Sequence, residues 1–341
     1  MKQQALRHSY QILLPLAVLC LLSFSAWPAP ANYAMQMGKA ATSLLLDIAA
    51  AGDRLVAVGE RGHILYSDDN GNSWVQAIVP TSAMLTRVFF INAKLGWAVG
   101  HDGNVLASHD GGINWELQRD GVSAQAQLSL EEAVFAPPLM DVWFADEQRG
   151  WAAGAYGTLL HTSNGGRNWL DWSPKVDNPD QLHFNGVIGT ADGTLFLASE
   201  WGTIFRSSTA GESWKATDSG YEGSFFGLVT NPASRSLFAY GLRGTVYRST
   251  DNGLNWAEVQ SKVQGSLFGA CATREGRLTF VGSNGTVTRS EDNGESFTVL
   301  VQASSLGVYG IAPTTDGHYL LSGEGGSRRL IENTSTARVS P

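Results

Sequence analysis

The chain has 341 residues, of which only 16% are charged and 39 are glycine, while 43% are hydrophobic and 11 are tryptophan. Such a composition excludes a disordered chain, and without a Gly-X-Y period it excludes collagen. A net charge of −8 excludes the basic footprint of a nucleic-acid binder, and two cysteines, Cys20 and Cys271, are too few for a disulfide framework.

The first element is an address. Lys2, Arg7 and His8 precede an apolar run from Ile12 to Leu22, and Ala29-Pro30-Ala31 supplies small residues for cleavage. This predicts a secretory signal peptide over 1–31, cut after Ala31, because the run falls short of the roughly 20 residues of a transmembrane helix. Removing it leaves 21 basic against 31 acidic residues. The exported chain is thus expected in the periplasm, with no stable membrane insertion.

From residue 32 onward a repeat governs the sequence. An octapeptide of the form S-x-D-x-G-x-[ST/N]-W occurs six times, first as Ser67-Asp68-Asp69-Asn70-Gly71-Asn72-Ser73-Trp74. The later copies carry Asp110 and Trp115, Asn164 and Trp169, Thr209 and Trp214, Asp251 and Trp256, and Asp292 and Phe297. Their closing aromatics are spaced by 41, 54, 45, 42 and 41 residues. Before each box comes a cassette such as Leu55-Val56-Ala57-Val58-Gly59, Glu60-Arg61-Gly62, His63-Ile64-Leu65-Tyr66-Ser67, which reads as strand, tight hairpin, strand. With one strand before the cassette and one after the box, each unit has four strands, the size and content of a propeller blade.

After the sixth box the cassette appears once more without one, at Val308 to Ala312, Tyr319 to Gly323 and Ser327 to Ile331. The prediction is an all-β, seven-bladed β-propeller over 32–335 with a disordered tail at 336–341. An open edge is an aggregation hazard, so Asn32 to Lys39 is expected to supply the fourth strand of blade seven and latch the termini together.

The boxes are expected to be structural, their Asp accepting backbone hydrogen bonds, their Gly taking φ > 0 and their Trp filling the gap between blades. They lie on one face. The hairpin tips lie on the other, and there the repeat varies: Glu60-Arg61, His101-Asp102, Ala155-Tyr156, Glu200-Trp201, Leu242-Arg243, Ser283-Asn284 and Glu324-Gly325. Two long links join them, Asp120 to Met140 and Ser173 to Leu182, the first with an amphipathic turn at Leu128 to Phe135.

The cassettes ending in boxes, together with Gly96-Trp97-Ala98-Val99-Gly100 and Gly150-Trp151-Ala152-Ala153-Gly154, resemble the photosystem II stability and assembly factor family of seven-bladed propellers, from about Leu44 to Ile331. The resemblance implies a lumenal chaperone of an early reaction-centre intermediate in photosynthetic members, working through an arginine-rich patch. In a non-photosynthetic relative it implies an exported accessory protein of an envelope membrane complex, such as a transporter of the resistance-nodulation-division class. The acidic balance, with Arg61, Arg87, Arg243 and Arg248 as the candidate cations, favours the second.

The leading expectation is therefore a non-enzymatic scaffold that binds a membrane-protein complex, transporter or photosystem-type intermediate, through Glu60, Arg61, His101, Asp102, Tyr156, Glu200, Trp201, Arg243, Asn284, Glu324 and the link after Asp120. A sialidase-like hydrolase is the enzymatic alternative and requires two of Glu60, Glu200 and Glu324 to face each other across the channel. A small-ligand site would need an apolar pocket around Trp201 and Tyr156. No cofactor is expected, and the seven histidines show no metal-ligand spacing. Cys271 reads as a core thiol.

Overall fold

The structure, a computed structural model, describes residues 32–126 and 136–332. The expected signal peptide at 1–31, the expected amphipathic turn at 128–135 and the expected tail at 336–341 lie outside these residues. Seven antiparallel sheets follow one another along the chain, six of four strands and the last of three. Blade one consists of Leu45–Ala51, Arg54–Gly59, Ile64–Ser67 and Val75–Gln76, and blade seven of Val308–Pro313, Tyr319–Gly323 and Gly326–Arg329.

The second strands are short, apolar and buried throughout, as in Gly96–Gly100, Gly150–Gly154 and Leu237–Gly241. A strand buried on both faces reads as a continuous apolar run, and these do. The apolar clusters fall between blades: Trp115 closes the one between blades one and two with Val56 and Leu106, and Trp214 the one between three and four with Leu159 and Leu197. Each box aromatic therefore packs against the preceding blade, and Phe297 does so with Phe238 and Tyr240.

The box geometry explains its spelling. Ser67 Oγ accepts the Gly71 amide at 2.9 Å, while Asp69 Oδ1 accepts the Ser73 amide at 2.8 Å and Oδ2 the Ser73 hydroxyl at 2.6 Å. In copy four the Thr209 hydroxyl takes the place of the carboxylate and accepts the Ser213 amide at 2.9 Å. Left-handed backbone occupies two successive positions, for instance Asn70 (φ 57°) and Gly71 (φ 82°), where glycine alone was expected. Where the first of the pair is asparagine it reaches the preceding blade: Asn252 Nδ2 donates to Asp192 Oδ2 at 2.8 Å, and Asn70 Oδ1 accepts the Thr315 amide at 3.0 Å across the closure.

Closure differs from the expected latch. Residues 32–39 run along the outer edge of blade one, where the Ala34 amide donates to Val79 O and Gln76 bonds the backbone of both Met35 and Met37. Their polar groups are satisfied there, so they do not add a strand to blade seven. Its edge is met instead by the link from blade six, through Gln302 Nε2 to Ile331 O and Ile331 N to Gln302 Oε1, both at 3.0 Å. The N-terminal end still meets the C-terminal one, by packing: a Cβ on Gly326 would lie 2.0 Å from Ala41 O.

Candidate binding face and channel mouth

On the face opposite the boxes, the second tip residue is left-handed in every blade: Arg61, Asp102, Tyr156, Trp201, Arg243, Asn284 and Gly325, with φ between 50° and 76°. All seven are exposed. The turn is held from behind by a repeated contact in which the first tip residue donates its amide to the preceding link, as from Glu60 to Leu44 O, His101 to Met84 O and Ser283 to Ser266 O. The cassette glycine before it is required by that approach, since a Cβ on Gly59 would sit 2.1 Å from Leu44 O.

The three tip glutamates serve the same turn. Glu60 Oε1 accepts the Leu44 amide at 3.3 Å, Glu200 Oε2 the His183 amide at 2.9 Å and Glu324 Oε2 the Gly307 amide at 2.9 Å. Each braces its own blade.

Trp201 is 64% exposed and borders a cavity of about 430 Å³ formed with Asp218, Gly220, Tyr221 and Glu222. It stands beside the outer strand of blade four, away from the channel, and Tyr156 meets His183 edge-to-face at 4.9 Å. The apolar pocket expected around these two rings is therefore not at the channel mouth. The arginines are dispersed as well. Arg61 and Arg243 stand on the tips of blades one and five, and Arg248 bonds Asn293 O and Glu295 in the box of blade six. Beyond Asp120, whose Oδ1 accepts the Val122 and Ser123 amides, a short helix spans Gly121–Ala126.

The channel mouth is built by residues the repeat pattern did not single out. In six blades the first strand carries a β-bulge near its start, so that one residue falls out of register: Leu46, Thr86, Met140, Phe226, Phe268 and Tyr309. A bulge re-aims a side chain, and these six, with Asn185 of blade four and Arg87, line a cavity of about 230 Å³. The next residue inward in each blade is charged on one side of the ring, Asp47, Arg87 and Asp141, and glycine on the other, Gly186, Gly227, Gly269 and Gly310.

Arg87 bridges the two acids, with Nε 2.8 Å from Asp141 Oδ1 and Nη1 3.5 Å from Asp47 Oδ1. The carboxylates are fully bonded, Asp47 Oδ2 to the Val88 amide at 3.0 Å and Asp141 Oδ2 to the Val187 amide at 2.9 Å. Burial raises Asp47 to about 6 despite Arg87. Burial also works against the Arg87 charge, but the two acids outweigh it and hold the guanidinium protonated. Below it a second cavity of about 300 Å³ continues down the channel. The signal that could have found this ring was the inner strand itself, aligned across blades as apolar, variable, then Asp, Arg or Gly.

Among the described residues no group of three or more His, Cys, Asp and Glu side chains could hold a metal, and no helix is long and apolar enough to cross a membrane. Cys271 is half-buried in the first strand of blade six, where burial raises its thiol to about 11.

The family model described as photosynthesis system II assembly factor YCF48 matches residues 69–236. The photosystem II assembly lipoprotein Ycf48 of Synechococcus sp. (strain CC9902) is 24% identical over 148 residues, covering 43% of this chain and 41% of that protein. The chloroplastic photosystem II stability/assembly factor HCF136 of Arabidopsis thaliana is 24% identical over 154 residues, 44% of this chain and 36% of that one. The matched stretch thus spans about two fifths of the length of these curated relatives. Among solved structures, YCF48 bound to D1 peptide superposes with a TM-score of 0.66 at 16% identity, over 89% of this chain and 98% of that one. YCF48 from Cyanidioschyzon merolae does so with 0.66 at 17%, over 88% and 99%. These likenesses show the seven-bladed fold, and the relatives are named as assembly factors.

Proposed function

We propose that this seven-bladed propeller, similar to the photosystem II stability/assembly factors, is a non-enzymatic exported scaffold that grips a segment of a membrane-protein complex during assembly. The observation that carries this reading is the tip face. Seven turns share one backbone, each with its second residue left-handed and exposed, yet their side chains differ from blade to blade. A left-handed residue with a Cβ costs roughly 1–2 kcal/mol. A Trp held there at 64% exposure and a Tyr at 53% serve contact better than stability.

Of the two partner classes expected from the sequence, the relatives' names support a photosystem-type assembly intermediate, and they give no support to a transporter. The relative whose structure holds D1 peptide favours a polypeptide ligand. The hydrolase alternative loses its carboxylates, since Glu60, Glu200 and Glu324 are each occupied with an amide of their own blade.

The test is crosslinking mass spectrometry on envelope fractions, comparing the wild type with a Trp201→Ala, Arg243→Glu double variant. A membrane complex captured by the wild type and lost with the folded variant supports the reading. Capture that ignores the substitutions removes the tip face as the docking surface.

A further inference from the structure

We infer that the bulge-lined funnel at the channel mouth is a receptor for one aromatic side chain presented by the bound polypeptide, an inference that rests on the scaffold reading above. Phe226, Phe268 and Tyr309, from blades five, six and seven, form an arc of adjoining rings, Phe226 tilted on Phe268 with centroids 5.4 Å apart at 36° and Phe268 stacked on Tyr309 at 5.2 Å and 30°. Such offset stacks extend naturally to a further ring, because each face remains a partner for an edge or an offset plane. Across the mouth stand Leu46 and Met140.

Polar members of the wall are engaged within the protein, the Tyr309 hydroxyl with Glu324 Oε1 at 3.5 Å and the others with backbone. Thr86 Oγ1 lies 2.7 Å from Leu139 O and 3.1 Å from Val99 O, and Asn185 Nδ2 donates to Phe225 O at 2.9 Å. At the floor the Arg87 charge is matched by Asp47 and Asp141, so the site offers no unbalanced cation to an anion. What remains for a guest is apolar contact and stacking.

Size selects the guest. A cavity of roughly 150 Å³ accepts benzene, whereas sites for whole small molecules start near 300 Å³. The funnel, at about 230 Å³, takes a single ring and stops at Arg87. One ring alone buries little surface, so an isolated ring binds weakly, in the range that saturation transfer detects, and the exposed tips are there to hold the rest of a longer ligand.

The experiment is saturation-transfer NMR on the full chain with N-acetyl-phenylalaninamide and N-acetyl-alaninamide as probes. The phenylalanine amide should bind through its ring, three- to tenfold more weakly in Phe268→Leu, which keeps an apolar side chain but removes the stacking plane. It should be excluded by Met140→Trp, which plugs the mouth, and unaffected by Leu254→Ala, an exposed side chain on the opposite, box face, with each variant checked for a cooperative melt. The alanine amide should give no transfer. Equal transfer from both amides, no transfer from either, or binding indifferent to Phe268→Leu and Met140→Trp would overturn the assignment. The two readings fail separately: tip-dependent capture of a complex with no ring binding removes the funnel alone, while ring binding without tip-dependent capture removes the scaffold.

Discussion

The two faces of the ring use the same backbone device for opposite ends. On the box face, left-handed residues such as Asn70, Asn252 and Asn293 are asparagines whose side chains are spent on the neighbouring blade. On the tip face the left-handed residues are Arg, Asp, Tyr, Trp and Asn, all turned to solvent. The difference teaches that a strained turn repeated with identical hydrogen bonds is part of the scaffold, whereas the same turn repeated with changing, exposed side chains is a surface the scaffold presents.

The largest effect is expected between the faces, in the channel. Arg87→Met leaves Asp47 and Asp141 buried without their counter-charge and should cost about 3–5 kcal/mol in denaturant unfolding. A loss below ~1 kcal/mol would show that the acids find another partner. Next, two tryptophans test the comparison itself. Trp115→Ala should cost about 3–5 kcal/mol, since the ring fills the space between blades one and two. Trp201→Ala should stay within roughly 0.5 kcal/mol of wild type. Similar values for the pair would erase the distinction between the faces.

The acids on the two levels should respond to pH in opposite senses. In the boxes, side-chain and backbone hydrogen bonds lower Asp69, Asp251 and Asp292 to about 2. Their folded values lie below the unfolded one, so their stabilisation is complete above about pH 4 and is lost as pH falls toward 2. Asp47 is raised to about 6 by burial, so folding favours its protonated form and its ionisation removes stability as pH rises from about 4 to 6. Thermal melts of Asp47→Asn should lack that decline, while Asp251→Asn should blunt the acid limb; an unchanged profile for Asp47→Asn would place its titration elsewhere.

The smallest effect concerns strain. Trp201→Gly relieves a left-handed Cβ and should leave stability unchanged or raise it by about 0.5–1 kcal/mol, offset partly by the freer unfolded chain. Partner capture should nonetheless fall, and retained capture would mean that Trp201 is not an anchor.

The octapeptide and cassette made the blade count legible, because every blade must bury the same strands and turn the same corner. Blade seven could be read as three-stranded from its missing box. Its edge could not, because which segment covers an edge depends on where hydrogen-bond partners lie in space, and Gln76 had already bound residues 35 and 37. The tips were legible as the variable positions of the frame, although the braces made by Glu60, Glu200 and Glu324 were not.

By itself the sequence determined the repeat: strand, turn, strand, box, with an aromatic to fill each gap, since these are local and periodic requirements. Only the tertiary structure decided the centre. Asp47, Arg87 and Asp141 are separated by 40 and 54 residues, and the arc of Phe226, Phe268 and Tyr309 by similar distances. Ring closure brings one residue from each blade to a common axis, and the bulges turn them inward; no local pattern records that meeting, because each residue's neighbours there come from other blades.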